Sequence, residues 1–170
     1  DIPGSIFSVG GLATFDAGLF GDITLGDNVG DNVQFGSVAP SGADVTITED
    51  DATTIAGGTI INNLVLASGG SISDSGAISV IGTSDFTAPN AADIILDETH
   101  TFSGTVDFLS AGTLNDVTVV DITAFPIQPG LTIGGDLSIT SRGNITDLGS
   151  IDIGGASSFV TQVNAGVGVN

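Results

Sequence analysis

The sequence predicts an all-β protein built as a parallel β-helix, and two observations carry this prediction. Apolar residues alternate with polar ones in short bursts, and a period of two residues is that of a β-strand. Residues 57–86 are also repeated at 130–159, with identical residues at 13 of the 30 positions. Self-similarity at a fixed offset indicates a repeat architecture, in which each unit buries its apolar face by stacking on its neighbours.

The predicted strands are the bursts of alternating apolar residues. Between them lie Gly, Asn, Asp and Ser, which turn the chain at low conformational cost, as at 26–32, 68–70, 73–76 and 141–144. No stretch has the apolar i, i+3, i+4, i+7 spacing of a long helix. The bursts are Val45-x-Ile47, Leu64-x-Leu66, Ile78-x-Val80, Ile94-x-Leu96, Val106-x-Phe108, Val117-x-Val119, Leu137-x-Ile139, Ile151-x-Ile153 and Val167-x-Val169.

The repeat unit of about 72 residues organises the whole chain. We expect residues 1–170 to form a single solenoid, with a partial repeat at 1–43, a full repeat at 44–115 and a partial repeat at 116–170. At about 18 to 24 residues per coil, a value usual for this architecture, each unit would hold three or four coils. A β-sandwich is the alternative fold, but its loops of varied length explain the recurring strand spacing less well.

Three phenylalanines occupy one phase of the repeat. Phe15, Phe86 and Phe159 each follow a glycine by four residues in their copies of the unit. Because the chain has nine Phe and no Tyr or Trp, these rings are needed to build a core. We therefore expect the three side chains to form one buried row parallel to the solenoid axis, rather than an exposed row that binds sugars.

Composition limits the partners. The chain has 20 Asp and Glu against one Arg and no Lys, a formal net charge of −19, so nucleic acid and anionic lipid are poor partners. Basic surfaces and divalent cations remain as partners. The absence of Cys excludes disulfides and thiol chemistry, and no apolar run is long enough for membrane insertion.

Runs such as 64–88 and 137–161 combine an apolar strand, a Gly-rich turn and the pattern I-x-D-x-G-x-I. They resemble the degenerate repeats of filamentous-haemagglutinin-type exoproteins and autotransporter adhesins of Gram-negative bacteria. The resemblance covers most of the chain and implies a right-handed parallel β-helix. It also implies a secreted or cell-surface protein. It does not imply one activity, because such solenoids carry adhesins, enzymes and passive stalks alike.

Acidic residues in turns are weak candidates for binding Ca²⁺, which prefers hard oxygen ligands. The alternative is that they are solvated turn residues, and the segment 134–139 matches a calcium-binding nonapeptide repeat only in part. Apart from this calcium, we expect no cofactor. The candidates are Asp22, Asp27, Asp31, Asp93, Asp97 and Glu98.

The sequence does not predict an enzyme. Asp50 and Asp51 are adjacent and would face opposite sides of a strand, which is a poor arrangement for an acid/base pair. His100 is the sole histidine and is expected at the surface, while Arg142 is the sole permanent cation and lies in a predicted turn.

The first functional hypothesis is a structural and adhesive segment of an extracellular or bacterial cell-surface fibre. Its expected partners are either further copies of the same repeat or other copies of the chain in end-to-end self-association, together with surface glycans or other cells. The alternative is a carbohydrate-binding or carbohydrate-active module, which a groove holding paired carboxylates and a basic residue would favour.

Overall fold

The computed structural model describes residues 4–28 and 30–162. No helix in these residues is long and apolar enough to cross a membrane. The strands are β1 (Ile6–Asp16), β2 (Ile23–Leu25), β3 (Asn32–Gly42), β4 (Val45–Glu49), β5 (Thr53–Ile60), β6 (Leu64–Ser68), β7 (Ile72–Val80), β8 (Ser84–Thr87), β9 (Ile94–Phe102), β10 (Val106–Leu109), β11 (Val117–Asp121), β12 (Phe125–Ile127), β13 (Thr132–Ile133), β14 (Leu137–Ser141), β15 (Ile145–Asp147), β16 (Asp152–Ile153) and β17 (Ser157–Thr161).

These strands stack in parallel into two long sheets. Sheet 1 has the order β1-β3-β5-β7-β9-β11-β14-β17, and sheet 2 has the order β15-β12-β10-β8-β6-β4-β2. Sheet 3 pairs β13 with β16. Because the chain alternates between sheets 1 and 2, it winds through about seven coils of a solenoid. The predicted parallel β-helix is confirmed, and the β-sandwich, which requires antiparallel sheets, is wrong.

The coils differ in length. Ile6 pairs with Asn32 in the first coil, Val38 pairs with Ile55 in the next, and the final register joins residues 137 and 157. The spacings in sheet 1 therefore run from 17 to 26 residues, close to the predicted range. The coils differ in the number of residues in their turns, and the strands of successive coils stay paired.

The core is made of aliphatic columns that run along the axis. Ile72, Ile94, Val117 and Leu137 pair in sequence, and none is more than 1% exposed. Burying each such side chain contributes roughly 1.5–3 kcal/mol. The predicted inward positions from residue 45 to residue 139 are likewise buried, except for the half-buried Phe108. The burst at 167–169 lies outside the described residues.

The sequence repeat corresponds to three and a half coils. Leu64 begins β6 in sheet 2, whereas its equivalent Leu137 begins β14 in sheet 1. In the same way, Ile23 begins β2 in sheet 2 and its equivalent Ile94 begins β9 in sheet 1. Seven steps between the two sheets separate each pair. Successive copies of the unit are therefore placed on opposite sides of the solenoid.

The predicted row of Phe15, Phe86 and Phe159 is wrong for this reason. Phe15 and Phe159 lie in sheet 1, whereas Phe86 lies in sheet 2. Phe86 is fully buried, Phe15 is half-buried, and Phe159 is 47% exposed in the last described strand. The row that does form joins Phe86, Phe108 and Phe125, whose ring centroids are 6.0 and 6.4 Å apart.

Candidate functional site

Side chains at one edge of sheet 2 connect successive coils. The Oδ1 atom of Asp22 accepts the backbone N–H of Asp44 at 3.2 Å, and Asp44 Oδ1 accepts the N–H of Asn63 at 3.1 Å. Asn63 Oδ1 accepts the N–H of Thr83 at 3.0 Å. Each of these residues stands immediately before a strand of sheet 2. We call Asp22, Asp44, Asn63 and Thr83 the first edge ladder.

A second edge ladder follows sheet 1. Ser71 Oγ accepts the N–H of Asp93 at 3.0 Å, and Asp93 Oδ1 accepts the N–H of Asp116 at 3.1 Å. Asp116 and Asp136 then accept the N–H groups of Asp136 and Ala156, both at 2.7 Å. In both ladders the acceptor lies one coil before its donor, so the connection has one direction along the axis.

The two edge ladders are the same feature in two copies of the repeat. Their paired positions are 22 and 93, 44 and 116, 63 and 136, and 83 and 156, at offsets of 71 to 73 residues. Each set of four paired positions contributes three side-chain acceptors and ends at a residue, Thr83 or Ala156, whose side chain accepts no further hydrogen bond in the ladder. The second ladder has one more acceptor, Ser71, before these positions. Sequence reasoning missed this site. The signal that could have found it is the Asp or Asn that directly precedes an apolar burst.

Glycines make room for the second ladder. Gly135 and Gly155 directly precede Asp136 and Ala156, and an added Cβ at either would overlap the Oδ1 of the preceding ladder carboxylate. A side chain at these positions would therefore push the coils apart. The fragment Gly134-Gly135-Asp136 partly resembles a calcium-binding repeat. In this structure it is a close contact between two coils, where the N–H of Asp136 donates to Asp116.

Hydrogen bonds favour the ionised form of a ladder carboxylate. The side-chain amide of Asn62 and the backbone N–H of Asn63 both donate to Asp44, and they lower the pKa of that carboxyl below its usual value of 3.8. Asp44 is therefore ionised at neutral pH, where its charge-assisted hydrogen bonds are stronger than neutral ones.

The structure does not gather the calcium candidates into one site. Asp22 and Asp93 belong to different edge ladders, while the side chains of Asp27 and Asp31 accept hydrogen bonds within their own turn. Asp97 and Glu98 lie in β9, where their backbone N–H groups donate to Asp74. Among residues 4–28 and 30–162, no group of three or more His, Asp or Glu is placed to hold a metal ion. Calcium binding stays a prediction.

His100 is buried, so its predicted surface position is wrong. The side chain is fully shielded, Nδ1 accepts the backbone N–H of Ile78 at 3.1 Å, and Nε2 lies 2.9 Å from Asp74 Oδ2. Because Nδ1 is an acceptor, the ring proton is on Nε2, facing the carboxylate. Burial lowers the pKa of His100, although the negative charges of Asp74, Asp121 and Glu98 oppose the shift.

The segment 73–76, predicted as a turn, lies inside strand β7, and its Asp74 side chain binds the backbone of the neighbouring coil. Its two carboxylate oxygens accept the N–H groups of Asp97 and Glu98 at 3.1 and 3.0 Å. The pairing offset of β9 with β11 changes beyond these residues, which marks an irregularity in the strand. Asp74 and His100 therefore hold a bulge in sheet 1, and both nitrogens of the imidazole face protein groups.

Glu49 is a second buried ionisable group that sequence reasoning missed. It ends β4 with 2% of its surface exposed, and its Oε1 accepts the N–H of Phe35 at 2.6 Å. Burial raises the pKa of this carboxyl, and the hydrogen bond from Phe35 partly opposes the shift. Asp50, next in the chain, accepts the N–H of Val33 at 2.7 Å. These two carboxylates accept alternate backbone donors of β3, from Val33 and Phe35.

Sheet 2 has a break between β10 and β12. β10 pairs with β8 through four residues but with β12 through one, Val106 with Ile127. A cavity of about 70 Å³ opens there, and its lining includes the aromatic Phe108 and Phe125 and the polar Asp107 and Gln128. Burial and the neighbouring charge of Asp85 raise the pKa of Asp107. No Lys or Arg lines this cavity.

The stacked sheets, the repeat and the edge ladders define a parallel β-solenoid repeat protein. A family model described as repeats of unknown function (DUF5649) matches residues 42–108 and 113–169. These two segments cover most of the chain and start 71 residues apart, close to the offset of 73 residues between the copies at 57–86 and 130–159. The chain therefore belongs to the DUF5649 repeat family. No curated protein and no solved structure matches the chain.

Proposed function

We propose that the chain is a structural and adhesive segment of a secreted or cell-surface β-helical fibre. The observation that carries this proposal is the pair of edge ladders. From residue 22 to residue 156, a polar side chain joins each described coil to the next beside the backbone hydrogen bonds, and the feature recurs in both copies of the repeat. Repeated connections along one axis suit a protein that must keep its length and resist unwinding.

The outer surface of sheet 1 supports a display role. One outward column passes through β5, β7, β9, β11, β14 and β17 and carries no charge, although the chain carries a net charge of −19. Such a surface offers small contacts that repeat at every coil, which suits binding spread along a fibre. The column consists of Thr54, Ser73, Ile95, Thr118, Ser138 and Ser158.

Two measurements on source cells test the fibre and its adhesion. Antibodies against the folded chain should label intact cells, and external protease should remove the signal. Beads coated with the folded chain should adhere to cells or to surface glycans, and soluble folded chain should compete. Beads coated with heat-denatured chain are the control. Labelling only after the cells are opened, or equal adhesion of both bead types, would overturn the corresponding half of the proposal.

The second candidate is a carbohydrate-binding module, favoured by the break in sheet 2. Two aromatic residues are among those that line its cavity, and Asp107 pairs in register with a second carboxylate, Asp85. Neutral sugars are recognised by apolar surfaces with a few fixed polar groups. A glycan array should then give a signal that Asp107→Asn and Gln128→Ala both weaken. A signal that both variants retain, or no signal, would contradict this candidate.

A further inference from the structure

The turn that joins β4 to β5 contains two buried polar side chains at positions where the solenoid otherwise places aliphatic ones. Glu49 ends β4 at an inward position, after the buried Val45 and Ile47, and 2% of its surface is exposed. Thr53 begins β5, is fully buried, and pairs with Ile72, a member of the aliphatic column in sheet 1. Because a buried polar group is costly unless it is bonded, both side chains need partners.

One oxygen of each side chain has no such partner. Glu49 Oε1 accepts the N–H of Phe35, but in the described part of the chain no group meets Glu49 Oε2 or Thr53 Oγ1 in hydrogen-bond geometry. Burial is the main cause that raises the pKa of Glu49, while Thr53 lies close enough to lower it and the charge of Asp51 raises it further. The three side chains therefore surround one point in the turn.

Side-chain oxygens recur at alternate residues of this turn, in Glu49, Asp51 and Thr53. Calcium-binding loops also place their first ligands at alternate residues, because these side chains can converge on one ion. Asp51 is exposed, which gives an ion access from solvent, while Glu49 and Thr53 are buried. The two carboxylates match the charge of Ca²⁺, and water can complete its set of about six to eight oxygen ligands.

The turn is fixed by hydrogen bonds on two sides. From β3, the backbone N–H of Phe35 donates to the Glu49 side chain at 2.6 Å. From the end of β6, Ser68 Oγ donates to the backbone carbonyl of Asp51 at 2.8 Å, and the N–H of Gly69 donates to the carbonyl of Glu49 at 2.8 Å. A turn that is already ordered loses little conformational freedom when it binds an ion, which favours affinity.

We infer that this turn binds one Ca²⁺ through the side-chain oxygens of Glu49, Asp51 and Thr53. None of the three is among the calcium candidates that the sequence suggests, and the site does not depend on the proposed fibre or its adhesion. With two carboxylates, we expect a dissociation constant of roughly 0.1–1 mM. Because a proton competes with the ion for Glu49, binding should weaken as pH falls.

Calorimetric titration of the folded full chain with CaCl₂, in about 150 mM NaCl to screen diffuse attraction, tests the site. We expect one saturable site, and we expect Asp51→Asn and Thr53→Val each to weaken binding at least about tenfold, because each removes a ligand. Asp50→Asn is the matched control, since it removes the same charge from the same turn. The Asp50 side chain is directed to β3, where it accepts the N–H of Val33, and its loss of charge should change the affinity less than about threefold.

Melting curves separate the loss of a ligand from the loss of folding. Without calcium, Thr53→Val should melt at the wild-type temperature or above it, since it removes a buried hydroxyl that has no partner. With about 5 mM CaCl₂, the wild-type chain should gain more than Thr53→Val does. The absence of saturable binding by the wild-type chain would overturn the inference. Full affinity in Thr53→Val, or an equal loss in Asp50→Asn and Asp51→Asn, would overturn it as well.

Discussion

Removal of one acceptor from the second edge ladder tests its contribution to stability. Asp116 is the middle carboxylate, and its Oδ1 lies 2.7 Å from the backbone nitrogen of Asp136. Asp116→Ala removes this acceptor and leaves the N–H of Asp136 without its partner in the ladder. The same substitution keeps the backbone of residue 116, which still donates to Asp93. The change is therefore confined to one connection between two coils.

The expected loss follows from the geometry. A hydrogen bond to a charged group contributes roughly 1.5–3 kcal/mol, and partial exposure of Asp116 places this one near the lower end, at about 1–2 kcal/mol. For a chain of 170 residues, 1 kcal/mol changes the melting temperature by about 2–4 °C, so we expect a decrease of about 2–8 °C. Asp116→Asn keeps an acceptor oxygen and should lose less than half as much.

Thermal unfolding at pH 7, followed by circular dichroism, measures the effect. Asp85→Ala is the matched control, because it removes one outward carboxylate from sheet 2 and relieves repulsion with Asp107. It should leave the melting temperature unchanged or slightly raised. A decrease below 1 °C in Asp116→Ala, or an equal decrease in Asp116→Asn, would refute the claim that the carboxylate acts as a hydrogen-bond acceptor.

Three further predictions concern titration and ions. The pKa of His100 is lowered in the folded chain, so below about pH 6.5 the unfolded chain binds a proton more readily than the folded chain does. The melting temperature should therefore decrease as pH falls from 7 to 5, and the decrease should be smaller in His100→Gln. The pKa of Glu49 is raised in the folded chain, so the stability that its protonated form contributes is lost as pH rises through the folded-state pKa. Glu49→Gln should therefore raise the melting temperature at pH 7 by a few degrees and give no gain near pH 4. Millimolar Ca²⁺ should raise the melting temperature modestly, and an equal rise with NaCl of matched ionic strength would assign the effect to screening.

The strands were predictable because alternation is a local property. The alternation in Val117-x-Val119 predicts which side chains point inward, whichever coil the strand belongs to. Both residues are fully buried. The row of Phe rings was not predictable in this way, since it depends on how many coils one repeat holds. That number depends on the turn lengths, which vary between coils. Because one repeat holds three and a half coils, an equivalent residue in the next copy lies in the opposite sheet.

The buried polar groups escaped sequence reasoning for a related reason. His100 is stabilised by Asp74, which is distant in the chain but lies in the neighbouring coil, and no local pattern joins the two. The edge ladders differ, because their signal is local. Asp93, Asp116 and Asp136 each stand directly before the first inward residue of a strand. The side chain at that position accepts a backbone N–H at the same point of the next coil, which would otherwise need another acceptor.

The half-coil remainder has a mechanical consequence. A unit of three or four whole coils would place every edge ladder on the same side of the solenoid and leave the other side held by backbone hydrogen bonds alone. With three and a half coils, the first ladder connects Asp22 to Thr83 beside sheet 2, and the second connects Ser71 to Ala156 beside sheet 1. Because the ladders overlap between residues 71 and 83, each described coil from residue 22 to residue 156 has a side-chain connection on at least one side. Force on such a chain therefore meets side-chain hydrogen bonds first beside sheet 2 and then beside sheet 1, most of them accepted by a carboxylate, and no coil in this range depends on its backbone contacts alone.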